Sequence, residues 1–202
     1  MEDIKLVKDL AFGEHAKSQV LTGVEKLTNA VGSTLGASGK CVIIEDNQGD
    51  PQITKDGVTV ANSITLRDPL ENIGATLIKQ AAQRTVKEAG DGTTTATILA
   101  HAILKEANEH SLLDDIRAMK EGINQGVAKV IEYITKNSKS VSGDKITQVA
   151  TISANNDVEL GNTIGEAFKM VDETGVVVME INDQPKTKVE LIDGVQYDKG
   201  LT

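Results

Sequence analysis

Apolar residues recur at intervals of three and four along much of the first 137 positions of this chain. Such spacing places apolar side chains on one face of an α-helix, and each helix must bury that face against a neighbour. Four segments carry the pattern, at residues 12–31, 73–82, 99–107 and 116–134. The sequence therefore predicts a mainly helical N-terminal domain, in which the first helix ends near Gly36 and the second at Gly90.

Two regions favour β-structure instead. "CVIIE" at residues 41–45, the turn-rich "DNQGDPQ" and "ITKDGVTVA" at 53–61 together predict a small β element. Near the C-terminus, "VVVMEI" at 176–181 and "KVELIDGVQY" at 188–197 predict a pair of strands that follow two shorter helices. Between the two parts, the polar segment 136–145 is expected to be a domain boundary. The predicted fold class is mainly α (α+β), with a mixed α/β second domain.

Composition narrows the classes of partner. Lysine and arginine number 21 against 30 aspartates and glutamates, a net charge of −9, and no basic cluster occurs. Nucleic acid is therefore not an expected partner, because phosphate binding needs clustered positive charge. The N-terminus resembles neither a signal nor a transit peptide, and no run approaches the roughly 18 apolar residues of a membrane span. A cytoplasmic protein without a membrane partner is the expectation.

The scarcity of aromatic residues and cysteine limits which side chains can form the core. Aromatic residues make up 2% of the chain and Trp is absent. The core is therefore expected to consist of Val, Ile, Leu and Ala. Cys41 is the single cysteine, which excludes a disulfide within the chain, and it is predicted to be a small buried apolar residue.

The stretch "AGDGTTTATILA" at residues 89–100 carries the clearest chemical pattern. Gly90 and Gly92 allow positive φ or a close approach of the backbone to a ligand. Thr93, Thr94 and Thr95 then fall in the first turn of a helix, where free N–H groups and the helix dipole attract an anion. This arrangement predicts a phosphate cradle.

Asp91 conflicts with that prediction, because a carboxylate repels phosphate. A magnesium ion resolves the conflict, since Mg²⁺ binds one or two carboxylates together with phosphate oxygens. The alternative, which the residues leave open, is that Asp91 simply caps an ordinary helix.

Two further stretches fit a nucleotide site. "TLGASGK" presents Thr34, Leu35 and Gly36 in a flexible loop that could wrap a nucleotide. "ITKDGV" presents Lys55 for a terminal phosphate and Asp56 to orient water or metal, although Lys-Asp-Gly is also a favourable turn. Neither G-x-x-x-x-G-K-[ST] nor G-x-G-x-x-G occurs, which excludes a P-loop and disfavours a dinucleotide fold.

"TLGASGK", "ITKDGVTVA", "AGDGTTTAT" and "TISAN" occur in the order and approximate spacing of the group I chaperonins, the GroEL family, and the resemblance extends from "FGEHAK" to "GVQYDKG". It implies that residues 1–137 are the first half of an equatorial domain, 138–193 the first half of an intermediate domain, and 194–202 the start of an apical domain. In that family the equatorial domain binds ATP with Mg²⁺ and K⁺ and forms ring contacts between identical subunits. The intermediate domain is a hinge, and the apical domain binds unfolded client polypeptides and a co-chaperonin.

The resemblance also implies individual roles. Asp91 would hold Mg²⁺, and Asp56 would act catalytically near the γ-phosphate and the attacking water. Thr34, Lys55 and Thr94 would lie near K⁺. The residues implied to contact nucleotide or its phosphates are Thr34, Leu35, Gly36, Lys55, Asp91, Gly92, Thr93, Thr94, Thr95, Ile152 and Ser153.

Two departures from the family stand out. Ala37 and Ser38 replace the Pro-Lys that the family usually has, which leaves the first loop less rigid and removes one charge. The chain also ends where the apical domain would begin. It is therefore expected to be the N-terminal portion of an ATP-dependent folding machine, and its ATPase activity belongs to the complete subunit. The alternatives are a truncated, non-catalytic interaction module and, less favoured, a small phosphotransferase.

Overall fold

The computed structural model describes residues 9–36, 38–45, 48–110, 115–171, 175–181, 183 and 186–194. These residues belong to two compact units, Met1–Val127 and Ala128–Thr202. None of the helices in the described ranges is long and apolar enough to cross a membrane. The elements in chain order are α1 (Gly13–Gly32), β1 (Val42–Glu45), β2 (Pro51–Thr54), α2 (Gly57–Ser63), α3 (Pro69–Ala89), α4 (Thr93–Glu109), α5 (Ile116–Asn137), α6 (Asp144–Ser153) and α7 (Val158–Met170).

Glycines let α1 and α3 cross in close contact. A β-carbon on Gly23 would lie 1.8 Å from the carbonyl oxygen of Glu71, and one on Gly74 would lie 2.0 Å from that of Val20. The Lys26 ammonium then pairs with both carboxylate oxygens of Glu71 at 2.7 Å. This crossing fixes the first helix against the third and gives the first unit its framework.

The core of the first unit lies where α1, α2 and α3 meet, and it is entirely aliphatic, as the composition predicted. Its buried members are Val24, Leu27, Val31, Val60, Ala61, Ala75 and Ile78. The apolar stripe predicted for α3 was partly wrong, because Ile73 and Leu77 are about half exposed. Small residues face α1 instead, since they permit the close crossing.

The predicted β element is real but shorter than expected. Strands β1 and β2 are antiparallel, with Ile43 opposite Ile53, and both side chains are largely exposed. Cys41, just before β1, is exposed rather than buried as predicted, because it flanks this thin two-stranded ribbon. The β-branched run after Asp56 was predicted to be β and is the helix α2. Burial of Val60 in the core there overrides its intrinsic preference for a strand.

In the second unit α6 and α7 pack through small residues. A β-carbon on Gly161 would lie 2.1 Å from Thr151 Oγ1, and one on Gly165 would lie 2.2 Å from Thr147 Oγ1. Residues 176–181 and 186–191 line a groove of about 390 Å³ with α7, and neither segment forms a regular strand. The predicted strand pair is therefore absent from the described residues. Most of its apolar side chains are exposed, and an isolated two-stranded hairpin is only marginally stable without a covering layer.

The polar segment predicted to be a boundary connects α5 to α6, and residues 138–142 are not helical. The division into compact units falls earlier, between Val127 and Ala128 within α5. The assignment of equatorial, intermediate and apical parts stays a prediction.

Candidate nucleotide-binding site

Three of the sequence motifs meet around Gly57, the buried first residue of α2. A β-carbon there would lie 2.2 Å from Thr94 Oγ1 and 3.2 Å from Val31 Cγ1. Val31 belongs to the last turn of α1, and Thr94 to the first turn of α4. With these side chains as they stand, only glycine fits at this position. The junction brings together the loop after α1, the turn before α2 and the N-terminus of α4.

The loop after α1 closes on the end of its own helix. Thr34 is half-buried, and its hydroxyl donates to the carbonyl of Val31 at 2.7 Å. Gly36 has φ +78°, in the left-handed region that favours glycine, and its carbonyl accepts from the Gly39 N–H at 2.9 Å. Leu35 is about half exposed. The loop therefore presents an accessible apolar side chain and a threonine oxygen beside the junction.

The turn before α2 holds the two charged residues of "ITKDGV", and both are exposed. Asp56 is the N-cap of α2: its carboxylate accepts from the N–H groups of Val58 at 3.3 Å and Thr59 at 2.8 Å. Lys55 and Asp56 lie in the short connection between β2 and α2, so Asp56 has a structural role as a helix cap. A carboxylate has about four acceptor positions, so capping does not exhaust what Asp56 can bind.

Two left-handed glycines shape the connection between α3 and α4. Gly90 ends α3 with φ 75°, and Gly92 is the N-cap of α4 with φ 86°. Asp91 lies between them and accepts from the Gly92 N–H at 2.6 Å. The prediction of positive φ is confirmed, whereas the alternative of an aspartate N-cap is wrong. Because Gly92 has no side chain, α4 begins without a side-chain cap, and its first-turn N–H groups can bind an anion.

The three threonines at the start of α4 have different surroundings. Thr93 is buried, and its carbonyl accepts from the Thr97 hydroxyl at 2.9 Å. Thr94 is half-buried beside Gly57, and Thr95 is exposed. Thr93 therefore anchors the turn, while Thr94 and Thr95 have more accessible hydroxyls.

The donor set at Asp91 fits a magnesium ion that is shared with a nucleotide. The described ranges contain no group of three or more His, Cys, Asp or Glu side chains that could hold a metal by themselves. Mg²⁺ does not require such a group, because it commonly binds through one or two carboxylates plus substrate phosphates. Asp91 is exposed next to the uncapped end of α4, where phosphates would be attracted.

Ile152 and Ser153 lie in the last turn of α6, in the second unit, and both are exposed. The turn after them uses Asn155 and Asn156 at φ 56° and 65°, a conformation that asparagine tolerates better than most residues. The approach of Ile152 and Ser153 to a nucleotide stays a prediction.

Sequence reasoning missed two residues of the first unit, Gly57 as the point of contact and Thr59 as a partner of Asp56. The Thr59 hydroxyl donates to Asp56 Oδ2 at 2.5 Å. Its position three residues after the cap matches the spacing of a capping box, which was a readable signal. The contact of Gly57 with Thr94 left no local signal, because it joins distant parts of the chain.

Comparison with known proteins agrees with this architecture. Residues 27–202 match the TCP-1/cpn60 chaperonin family. The chaperonin gp146 from bacteriophage EL 2 (Pseudomonas aeruginosa), crystallised in the presence of ATP-BeFx, is 31% identical with a TM-score of 0.63 over 76% of this chain. A group III chaperonin in the open state is 27% identical with a TM-score of 0.61 over 78% of this chain. The chain spans 28% of the phage protein and 32% of the group III protein. It belongs to the TCP-1/cpn60 chaperonin family.

Proposed function

We propose that this chain is the N-terminal portion of an ATP-dependent chaperonin subunit of the group I type, and that it binds ATP at the junction around Gly57. The observation that carries the proposal is the contact of Gly57 with Thr94. It joins the turn containing Lys55 and Asp56 to the uncapped N-terminus of α4. The presence of ATP-BeFx with the phage relative supports a nucleotide as the ligand.

The phosphates of ATP would lie at the first turn of α4, on the N–H groups and hydroxyls of Thr93, Thr94 and Thr95 and close to Gly92. Lys55 supplies a positive charge for the terminal phosphate. Thr34, Leu35 and Gly36 would contact the nucleotide from the loop after α1.

Asp91 would hold Mg²⁺, which when bound neutralises phosphate charge. Oxygen atoms of Thr34, Lys55 and Thr94 would lie near K⁺. For Lys55 this means the backbone carbonyl, because an ammonium group cannot donate a lone pair to a cation. The roles of Asp91 and Lys55 are complementary: the Asp91 carboxylate balances positive charge on the metal, and the Lys55 ammonium balances negative charge on the phosphate.

Asp56 would orient the water that attacks the γ-phosphate. Phosphoryl transfer depends mainly on positioning and charge stabilisation, so a fixed carboxylate acceptor is sufficient for this role. The hydrogen bonds that hold Asp56 at the start of α2 supply the rigidity.

The remaining roles concern the whole protein. Ile152 and Ser153 would close on the nucleotide from the intermediate domain, and the complete subunit would assemble into a homo-oligomeric ring in the cytoplasm. Client polypeptides and a co-chaperonin would bind an apical domain that begins near residue 194. We do not favour the non-catalytic module, because the family match over residues 27–202 spans the four motifs that we propose bind nucleotide.

The proposal is tested by isothermal titration of ATP into the complete gene product, with and without Mg²⁺. We expect magnesium-dependent binding that weakens by at least about tenfold in Asp91→Asn, because loss of one metal carboxylate removes a major charge contact. Asp157→Asn is the matched control, since it changes an exposed aspartate at the start of α7. Equal affinities of Asp91→Asn and the unaltered protein would contradict the proposal.

A further inference from the structure

The carboxylate of Asp56 is held asymmetrically. Its Oδ2 accepts two hydrogen bonds from Thr59, one from the backbone N–H at 2.8 Å and one from the hydroxyl at 2.5 Å. Its Oδ1 accepts the longer bond from the Val58 N–H, at 3.3 Å. A carboxylate oxygen has two main acceptor positions, so Thr59 fills those of Oδ2 while Oδ1 retains capacity.

The backbone of Asp56 is fixed as well. Its N–H donates to Thr54 Oγ1 at 3.0 Å. Thr59 is itself half-buried, one residue before the buried Val60. The carboxylate is therefore attached to the core through α2 and cannot rotate without breaking two short bonds.

Helix capping by itself does not require the Thr59 hydroxyl. Helices α3 and α7 are also capped by aspartates. In their capping bonds, the aspartate carboxylate accepts from backbone N–H groups and not from a side chain. At α3, both capping bonds reach the same oxygen of Asp68, at 2.9 and 3.0 Å. The third helical residue, Glu71, donates its backbone N–H to the cap, but its side chain pairs with Lys26 instead. The side-chain bond from Thr59 is thus an addition to the cap of α2.

We propose that Thr59 is a positioning residue for ATP hydrolysis: by occupying Oδ2 of Asp56, it directs Oδ1 toward the attacking water. This inference rests on the proposed function, in which Asp56 orients that water. Thr59 contacts neither water nor nucleotide in this role and acts through Asp56.

The test compares Thr59→Val, Thr59→Ala and Thr59→Ser in the complete gene product, with kcat, ATP affinity and thermal stability measured for each. Valine keeps the shape of the side chain and removes the hydroxyl, whereas serine keeps the hydroxyl. We expect Thr59→Val and Thr59→Ala to lower kcat by on the order of tenfold, because small misplacements of a positioning group are costly. ATP affinity should stay unchanged, and Thr59→Ser should retain most of the rate.

A double variant separates positioning from general stability. In the Asp56→Ala background, Thr59→Val should cause no further loss of kcat, because the group through which Thr59 acts is gone. If the losses of kcat in Thr59→Val and Asp56→Ala multiply in the double variant, the inference is overturned. It is also overturned if Thr59→Val hydrolyses ATP at the normal rate while Asp56→Ala is slow. If Asp56→Ala itself is unimpaired, the proposed role of Asp56 fails and the inference fails with it.

Discussion

The side chain of Thr94 occupies the space that a β-carbon on Gly57 would need, with Oγ1 2.2 Å from that position. The start of α2 and the start of α4 are therefore in direct contact. Because Asp56 immediately precedes Gly57, this contact sets the distance between the Asp56 turn and the uncapped first turn of α4. The geometry of the candidate site depends on it.

Gly57→Ala is therefore expected to destabilise the first unit by about 2 kcal/mol, as overpacking of a filled site does. It should also weaken ATP binding, because the Thr94 side chain must rotate or α2 and α4 must separate. Gly122→Ala is the control: it lies in α5 with open space around its β-carbon position, and should be neutral or slightly stabilising. Urea denaturation of both variants provides the measurement, and equal midpoints would contradict the prediction.

Asp91→Ala is expected to abolish magnesium-dependent ATP hydrolysis in the complete gene product while leaving the fold intact. Asp91 is exposed, and the hydrogen bond described for it is to its neighbour Gly92, so little stability depends on it. Turnover should be measured with Mg²⁺ present, alongside circular dichroism. Retained turnover would show that the carboxylate does not hold the metal.

Asp56→Ala is expected to slow hydrolysis by roughly a hundredfold, the range seen for positioned acid–base groups, with a smaller effect on affinity. The control is Asp68→Ala, which also removes an exposed aspartate N-cap with two backbone bonds. Both variants should lose about 1 kcal/mol of stability from the missing cap. Titration and turnover assays distinguish the two, and a rate loss shared by Asp68→Ala would mean that capping explains the effect.

The features that the sequence predicted well depend on short stretches of chain or on overall composition. The helices α1, α4 and α5 follow from apolar spacing, and the left-handed turns at Gly90 and Gly92 follow from the freedom of glycine. The composition of the core followed from the scarcity of aromatic residues. Each of these depends on local sequence or overall composition.

Apart from the local contact of Thr59 with Asp56, the features that were missed depend on contacts between distant residues. The run containing Val58 and Val60 favours a strand by itself, and it is helical because Asp56 caps it and Val60 enters the core. The close crossing at Gly23 and Gly74 likewise moved the buried face of α3 away from its larger side chains. Neither tertiary effect can be read from periodicity.

The connection between α5 and α6 is expected to be the preferred site of limited proteolysis. Residues 138–142 are non-helical and exposed, and they include three serines and a lysine that a protease could reach. Brief trypsin digestion of the native complete gene product, followed by mass spectrometry, should give an early cut at Lys136 or Lys139. Resistance there, with earlier cuts inside α3 or α4, would count against a hinge at this segment.

Gly161→Ala is expected to loosen the second unit while leaving the first unaffected. A β-carbon at Gly161 would lie 2.1 Å from Thr151 Oγ1 and 2.6 Å from the Thr151 Cα. The second contact is with backbone, so rotation of the threonine side chain cannot relieve it, and α6 and α7 must move apart. The expected loss in the free energy of unfolding is about 2 to 3 kcal/mol.

Hydrogen exchange should show reduced protection in α6 and α7, with α1 and α3 unchanged. Gly126→Ala, in an open position on α5, is the matched helical control and should not reduce protection. Indistinguishable exchange in the two variants would show that α6 and α7 do not rely on this close contact.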